Sequence, residues 1–235
     1  MQRLRITAFI LFSASAFVSH ANKGPLAIRQ PVGAERFEFL TGKDIGSNSD
    51  LKSHWDKAYS KQEFIYGKKP AKFLASNFHV IPSKGRVLDV GMGEGRNGVF
   101  LASKGFEVVG IDISSIAVKK AEILAKENQT KITAIVADVN EYHFPEKSFD
   151  AILSFYYVDR KLLSKLVSWL KPGGYIFYEG FLIDQKHQKK SPEPDEYFLK
   201  KHEVLNFFPK FKILKYSEDT SPQSFTSSII VKKLL

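Results

Sequence analysis

Cysteine is absent from the 235 residues, so disulfides, thiolate zinc sites and a cysteine nucleophile are excluded. No group of His, Asp and Glu has the spacing of metal ligands, and no metal is expected. Long apolar runs are also missing. The most prominent, Ile6 to Val18, is shorter than the about 20 residues that a membrane-spanning helix needs, so no stable span is expected in a mature chain. Internal repeats and long low-complexity tracts are absent too. Acidic residues are in short supply, 25 against 35 Lys and Arg, for a formal charge of +10. The excess sits in scattered pairs, such as Lys119-Lys120, Lys189-Lys190, Lys200-Lys201 and Lys232-Lys233. Scattered lysines read as a solvated surface, and no nucleic-acid partner is expected. With 43% hydrophobic and 26% charged residues, the chain is globular, and its length suits one α/β domain with extensions.

What is present begins with a leader. Arg3 and Arg5 precede the apolar run, and small residues follow it, which is the layout of a secretory signal. Cleavage fits after Ala21 or after Ala16, and residues 1–21 are expected to be a cleavable targeting leader. Ala14-Ser15-Ala16-Phe17 resembles the cleavage motif of bipartite plastid presequences, which makes a plastid the favoured destination, ahead of secretion or the periplasm and then the cytoplasm. Residues 22–50 carry Gly24-Pro25, Pro31, Gly33, Gly42 and Gly46 without periodicity, and read as a flexible linker. Residues 51–235 are expected to form the ordered domain, as a monomer.

That domain is organised around Arg86-Val87-Leu88-Asp89-Val90-Gly91-Met92-Gly93-Glu94-Gly95-Arg96-Asn97. An apolar strand stops at a glycine turn, where missing Cβ atoms permit positive φ and close approach of a ligand. A short helix from Arg96 to Lys104 follows, then a second strand ending on Asp112, 21 residues beyond Gly91. An acid at that place can accept from both hydroxyls of a ribose. Dinucleotide-binding turns space their glycines as Gly-x-Gly-x-x-Gly. Here the third glycine comes one residue early, and Asp89 in the strand would repel a pyrophosphate. Asp89 suits a ligand carrying an ammonium group.

The stretch resembles the first motif of class I methyltransferases that use S-adenosylmethionine (SAM). Such a resemblance implies a Rossmann-like, seven-stranded, mostly parallel sheet with helices on both faces. It also implies SAM as cofactor, transfer of its methyl to a small-molecule acceptor, and SAM contacts from Asp89, Gly91, Gly93, Gly95, Arg96, Asn97, Asp112 and Ile113. Upstream, Trp55-Asp56-x-x-Tyr59 and Tyr66-Gly67-x-x-Pro70-x-x-Phe73-Leu74 are similar to the small tellurite-resistance and thiopurine methyltransferases. In that group the leading segment folds over the cofactor, which would place Trp55, Tyr59, Tyr66 and Gly67 at the site. Packing of Trp55 and Tyr59 into the core is the competing reading.

Further along, Ser114 can cap a helix to about Glu127, with Lys120 on its buried stripe reaching out to water. A third strand ends at Asp138-Val139, a position that in the family holds the adenine. The apolar strand Ser148 to Ser154 runs into Phe155-Tyr156-Tyr157. Ligands bind beyond the carboxyl ends of such strands, so Phe155 is expected at the cofactor and Tyr156 at the reacting methyl as the catalytic candidate. The Asn/Asp-Pro-Pro-Tyr/Phe signature of DNA amino-methylating enzymes is absent there. Leu170-Lys171-Pro172-Gly173-Gly174 reads as a turn into a strand from Tyr175 to Tyr178. Residues 180–198 read as an irregular polar insertion in which Asp184 or His187 is a possible base, and residues 202–208 as a helix. Two other classes stay open: an NAD-dependent oxidoreductase, and a non-catalytic SAM-fold or basic RNA-binding protein.

Overall fold

The computed structural model describes residues 48–191, 193–221 and 224–235. The leader and residues 22–47 of the expected linker lie outside the described residues. Among the described residues the chain is helical from Asn48, within the stretch expected as linker.

In chain order the elements are α1 (Asn48–Tyr59), α2 (Lys72–Asn77), β1 (Arg86–Val90), α3 (Arg96–Ser103), β2 (Glu107–Asp112), α4 (Ser115–Glu127), β3 (Thr133–Val136), β4 (Phe149–Phe155), α5 (Leu163–Trp169), β5 (Leu170–Phe181), α6 (Ile183–Lys189), β6 (Phe211–Asp219) and β7 (Thr226–Lys233). The seven strands form one sheet in the order β3-β2-β1-β4-β5-β7-β6. Strands β1 to β5 run parallel to one another. β7 runs antiparallel to both β5 and β6, so it alone is reversed. The strand order reverses at β1, with β2 on one side and β4 on the other, and this switch point opens the crevice in which such sheets bind ligands.

Alternation along the central strands explains why the sheet is covered on both faces. Leu88, Val90 and Ile152 point to one face and pack with Leu166 and Trp169 of α5 and with Tyr178, Val204 and Phe208. Val87, Ala151 and Leu153 point to the other and pack with Leu74 of α2 and Leu101 and Ala102 of α3. Each fully buried Val, Leu or Ile contributes about 1.5–3 kcal/mol, so the middle of the sheet is the stable floor of the molecule. Ser114 caps α4 as expected, its hydroxyl accepting the Ala117 amide at 3.1 Å.

Three expectations fail in the C-terminal half. β5 begins at Leu170 and passes through the Pro-Gly-Gly stretch, because an irregularity opposite Phe149 and Ala151 absorbs the kink. Residues 180–198 are not irregular throughout: α6 occupies Ile183–Lys189. Residues 202–208 are not an α-helix. A single 3-10 turn, Glu203–Asn206, follows His202, whose φ of 62° interrupts helical geometry.

Candidate active site

Strand register sets the frame. Val90 of β1 stands level with Ile111 of β2 and with Ser154 of β4. Ser154 is level with Tyr178, and Phe155 with Glu179, in β5. The glycine turn, Asp112, Phe155-Tyr156 and Glu179 therefore lie along one edge of the sheet, at the carboxyl ends of four adjacent parallel strands.

The turn has the conformation its glycines suggest. Gly91, Gly93 and Gly95 have φ of 60°, 53° and 83°, in the left-handed region that disfavours other residues. The surroundings demand glycine as well: a Cβ on Gly93 would stand 2.9 Å from the Tyr59 hydroxyl, and one on Gly91 2.9 Å from the Tyr157 ring. The Met92 amide bonds to Ile111 O at 3.1 Å and ties the turn to β2. Glu94, unremarked as sequence, is buried and paired with Lys120 at 2.8 Å. Lys120 therefore turns inward to the turn rather than out to water, because a buried carboxylate needs a partner.

Three aspartates sit around this turn. Asp112 is buried, and both its oxygens accept backbone amides, from Gly93 at 2.8 Å and from Ser114 at 2.9 Å. Each oxygen keeps a second lone pair for a further donor. Burial raises its pKa, and the amides of Ser114 and Gly93 oppose the rise. Asp89 is 2% exposed, and its Oδ2 has no hydrogen-bond partner among the described residues. Burial pushes its pKa up to about 7, against the pull of the Gly98 amide and Arg96. A buried carboxylate oxygen still open to a donor beside a glycine cradle fits a cationic ligand group. Asp138 follows β3, accepts the Asn140 amide at 2.8 Å, and precedes buried Val139. Ile113, half-buried, directly follows Asp112.

Asn97 and Arg96 behave differently from one another. The Asn97 side chain accepts the Ala71 amide at 2.9 Å, so it fastens the segment before α2. Arg96 donates to Tyr66 O at 3.3 Å and lies 5.3 Å from the centre of the Tyr156 ring. It bridges the leading segment and the expected acceptor side.

The leading segment is laid across α4 and the turn. Trp55 stacks on Tyr59 at 5.8 Å, and Tyr59 meets Tyr66 edge-on at 6.3 Å. Tyr59 is buried with Ile65 and Ala117, so it serves both readings: it is a core residue and it touches the turn. Gly67, at φ 70°, closes the tight bend after Phe64. The residue that fastens α1 is Asp56, which accepts from the Ser114 hydroxyl at 2.7 Å and the Ile116 amide at 3.3 Å. A carboxylate at the first turn of α4 also complements the helix dipole. Burial pushes Asp56 up, but Lys52, Ser114 and the Ile116 amide outweigh it and hold the carboxyl below its usual range. The Trp-Asp-x-x-Tyr motif contains Asp56, but only tertiary contact reveals its work.

On the other side of the turn, Phe155 is buried and Tyr156 has φ 61°, an uncommon value for a non-glycine residue. The Tyr156 amide donates to Glu179 O at 2.7 Å, and its hydroxyl donates to Glu179 Oε1 at 2.5 Å. Ser228 donates to Glu179 Oε2 at 2.7 Å. Burial raises the Glu179 pKa, opposed by the Tyr156 and Ser228 hydrogen bonds and by Arg96. Glu179 was not singled out by its sequence, because a lone acid in an apolar run gives no signal until the register is known. Asp184 pairs with Lys201 at 3.6 Å and His187 is exposed, both on α6.

Residues 87–174 match the family described as a methyltransferase domain. That segment of the chain is thus similar to a methyltransferase domain. The chain is 30% identical over 159 residues to phosphoethanolamine N-methyltransferase 1 of Triticum aestivum, covering 63% of this chain and 31% of that one. The chain thus spans about a third of that relative's length. Among solved structures, magnesium protoporphyrin IX methyltransferase from Synechocystis PCC 6803 with bound SAM superposes with a TM-score of 0.58 at 16% identity, covering 79% of this chain and 96% of that chain. TehB from Haemophilus influenzae gives 0.57 at 17% identity, covering 77% and 66%. At these identities the structural likenesses establish the fold, which is the seven-stranded class I architecture.

Proposed function

We propose that the whole protein is a SAM-dependent methyltransferase acting on a small molecule, of the tellurite- and thiopurine-methyltransferase type. One observation carries this reading: buried Asp112, at the end of β2, is locked by the Gly93 and Ser114 amides with its free lone pairs beside a glycine turn. In this proposal Asp112 takes the ribose hydroxyls, and Asp138 with the Val139 amide takes the adenine. Ile113 and Phe155 flank the nucleoside. Asp89, the turn and Arg96 hold the amino-acid end, while Asn97 supports them through Ala71. Trp55, Tyr59, Tyr66 and Gly67 cover the site, and the subgroup assignment rests on this cover. Bound SAM supplies an activated methyl with a neutral thioether as leaving group. The chain's task is alignment, and effective molarities of about 10⁵–10⁸ M show how much positioning alone can contribute. Tyr156 stands at the rim where an acceptor would enter.

A monomeric chain with no nucleic-acid partner belongs to the same proposal. The test is transfer of label from methyl-labelled SAM to a panel of small thiols, carboxylates and amines. Transfer to one or more is expected; binding of RNA without any transfer would favour the non-catalytic alternative.

A further inference from the structure

Glu179 is costly where it stands. It is 5% exposed at the carboxyl end of β5, between Phe155 of β4 and Ser228 of β7 in the sheet register. Its oxygens hold two hydroxyls, Tyr156 and Ser228, and no salt bridge among the described residues. The charged group facing it is Arg96 of α3, placed over the Tyr156 ring. A buried carboxylate satisfied only by neutral donors gives the fold less than an apolar residue of similar size would. Tyr156 adds backbone strain of the kind that collects at functional sites. Its ring also lies against Phe181, with centroids 4.6 Å apart, and the two rings form an aromatic wall.

We propose that Glu179 is the proton acceptor of this pocket, acting through Tyr156, and that the methyl acceptor is a small amine arriving as its ammonium ion. This rests on the methyltransferase reading above. A thiolate or carboxylate acceptor would be repelled by a buried anion with aromatic neighbours. An ammonium group is attracted by both the carboxylate and the ring faces. Tyr156 donates its own proton to Glu179, which leaves the lone pairs of its oxygen to receive an N–H. The ammonium passes one proton to the Tyr156 oxygen while the Tyr156 proton moves to Glu179. The freed nitrogen lone pair then attacks the methyl carbon. The N–C bond forms, the C–S bond breaks, and its electron pair stays on sulfur. Methylated ammonium and thioether leave, and Glu179 returns the proton to water. The raised pKa of Glu179 brings it nearer to that of the amine and eases the transfer.

The experiment uses the full chain with labelled SAM and three probes of similar body: benzylamine, thiophenol and benzoate. Label should pass to benzylamine. Glu179→Gln should lower kcat/KM for benzylamine about 10²–10⁴-fold at pH 7, with the loss shrinking towards pH 10 as solution supplies the free amine. Tyr156→Phe, at a partly exposed position, should show the same pH-dependent loss and keeps the test open if Glu179→Gln does not fold. Affinity for S-adenosylhomocysteine should be unchanged in both. A deficit equal at every pH, label on thiophenol or benzoate instead, or label on none of the three overturns the proposal. Failure of the wild-type chain to bind S-adenosylhomocysteine would overturn the methyltransferase reading beneath it.

Discussion

The two sides of the crevice are built from different material. The proposed cofactor side is mainly backbone: three glycines at positive φ and two amides locked onto Asp112. The proposed acceptor side is mainly side chain: Tyr156 just after β4, Glu179 of β5 and Ser228 of β7. A site made of backbone tolerates no Cβ and leaves a glycine pattern in the sequence. A site made of side chains from separate strands leaves no local pattern, since its members are 23 and 49 residues apart. The contrast predicts that cofactor-side substitutions abolish binding of the nucleoside, whereas acceptor-side substitutions change turnover alone.

The sharpest break in this contrast comes from Gly93→Val. A β-branched residue at φ 53°, with its Cβ 2.9 Å from the Tyr59 hydroxyl, cannot keep the turn. Affinity for S-adenosylhomocysteine should fall by at least about 100-fold, close to 2.8 kcal/mol. Titration calorimetry on a mutant shown to be folded by circular dichroism checks this. Normal affinity would remove the turn from the site.

Asp112→Ala comes next. It removes a charged acceptor, worth about 1.5–3 kcal/mol per hydrogen bond, so the same titration should show at least a tenfold loss. The mutation also frees the Gly93 and Ser114 amides, and Asp112→Asn should recover part of the loss.

Asp56→Ala probes the cover rather than the floor. Loss of the contacts to Ser114 and Ile116 should lower stability by about 1 kcal/mol, read as a lower denaturant midpoint. Faster hydrogen exchange in α1 should accompany it, with β1 and β4 unaffected.

The smallest effect is a pH dependence at Asp89. A carboxyl raised from its usual value to about 7 in the fold stabilises the folded state most at low pH, and that contribution is lost as pH climbs through the window from about 4 to 7. The stability of the wild type relative to Asp89→Asn should therefore decline between pH 5 and 7 and level off above it. Melting temperatures of the two proteins across that range decide the point.

The legibility of the fold follows the same division. β1, α3, β2 and α4 lie within a residue or two of their expected bounds, because caps, glycines and apolar runs are local signals. The start of β5 at Leu170 was hidden by Pro172 and two glycines, which read as a turn but are carried inside a bulged strand. α6 was hidden by its polar composition, and the 3-10 turn at Glu203 by a helix-like apolar spacing that His202 at positive φ interrupts. On the cofactor side, the glycines and Asp112 were readable in place. Asp56, Lys120 and Glu94 were not, because their partners lie 26 to 60 residues away. Asn97 stands in the motif for a reason the motif does not state, the fastening of Ala71.

In the proposed function the β1–α3 turn with Asp112 holds an adenosyl amino acid and not a dinucleotide. Calorimetric titration of the wild-type chain with S-adenosylhomocysteine and, separately, with NAD tests it most directly. The prediction is a saturable one-to-one isotherm for S-adenosylhomocysteine and no heat of binding for NAD. Saturable binding of NAD with none for S-adenosylhomocysteine would contradict it.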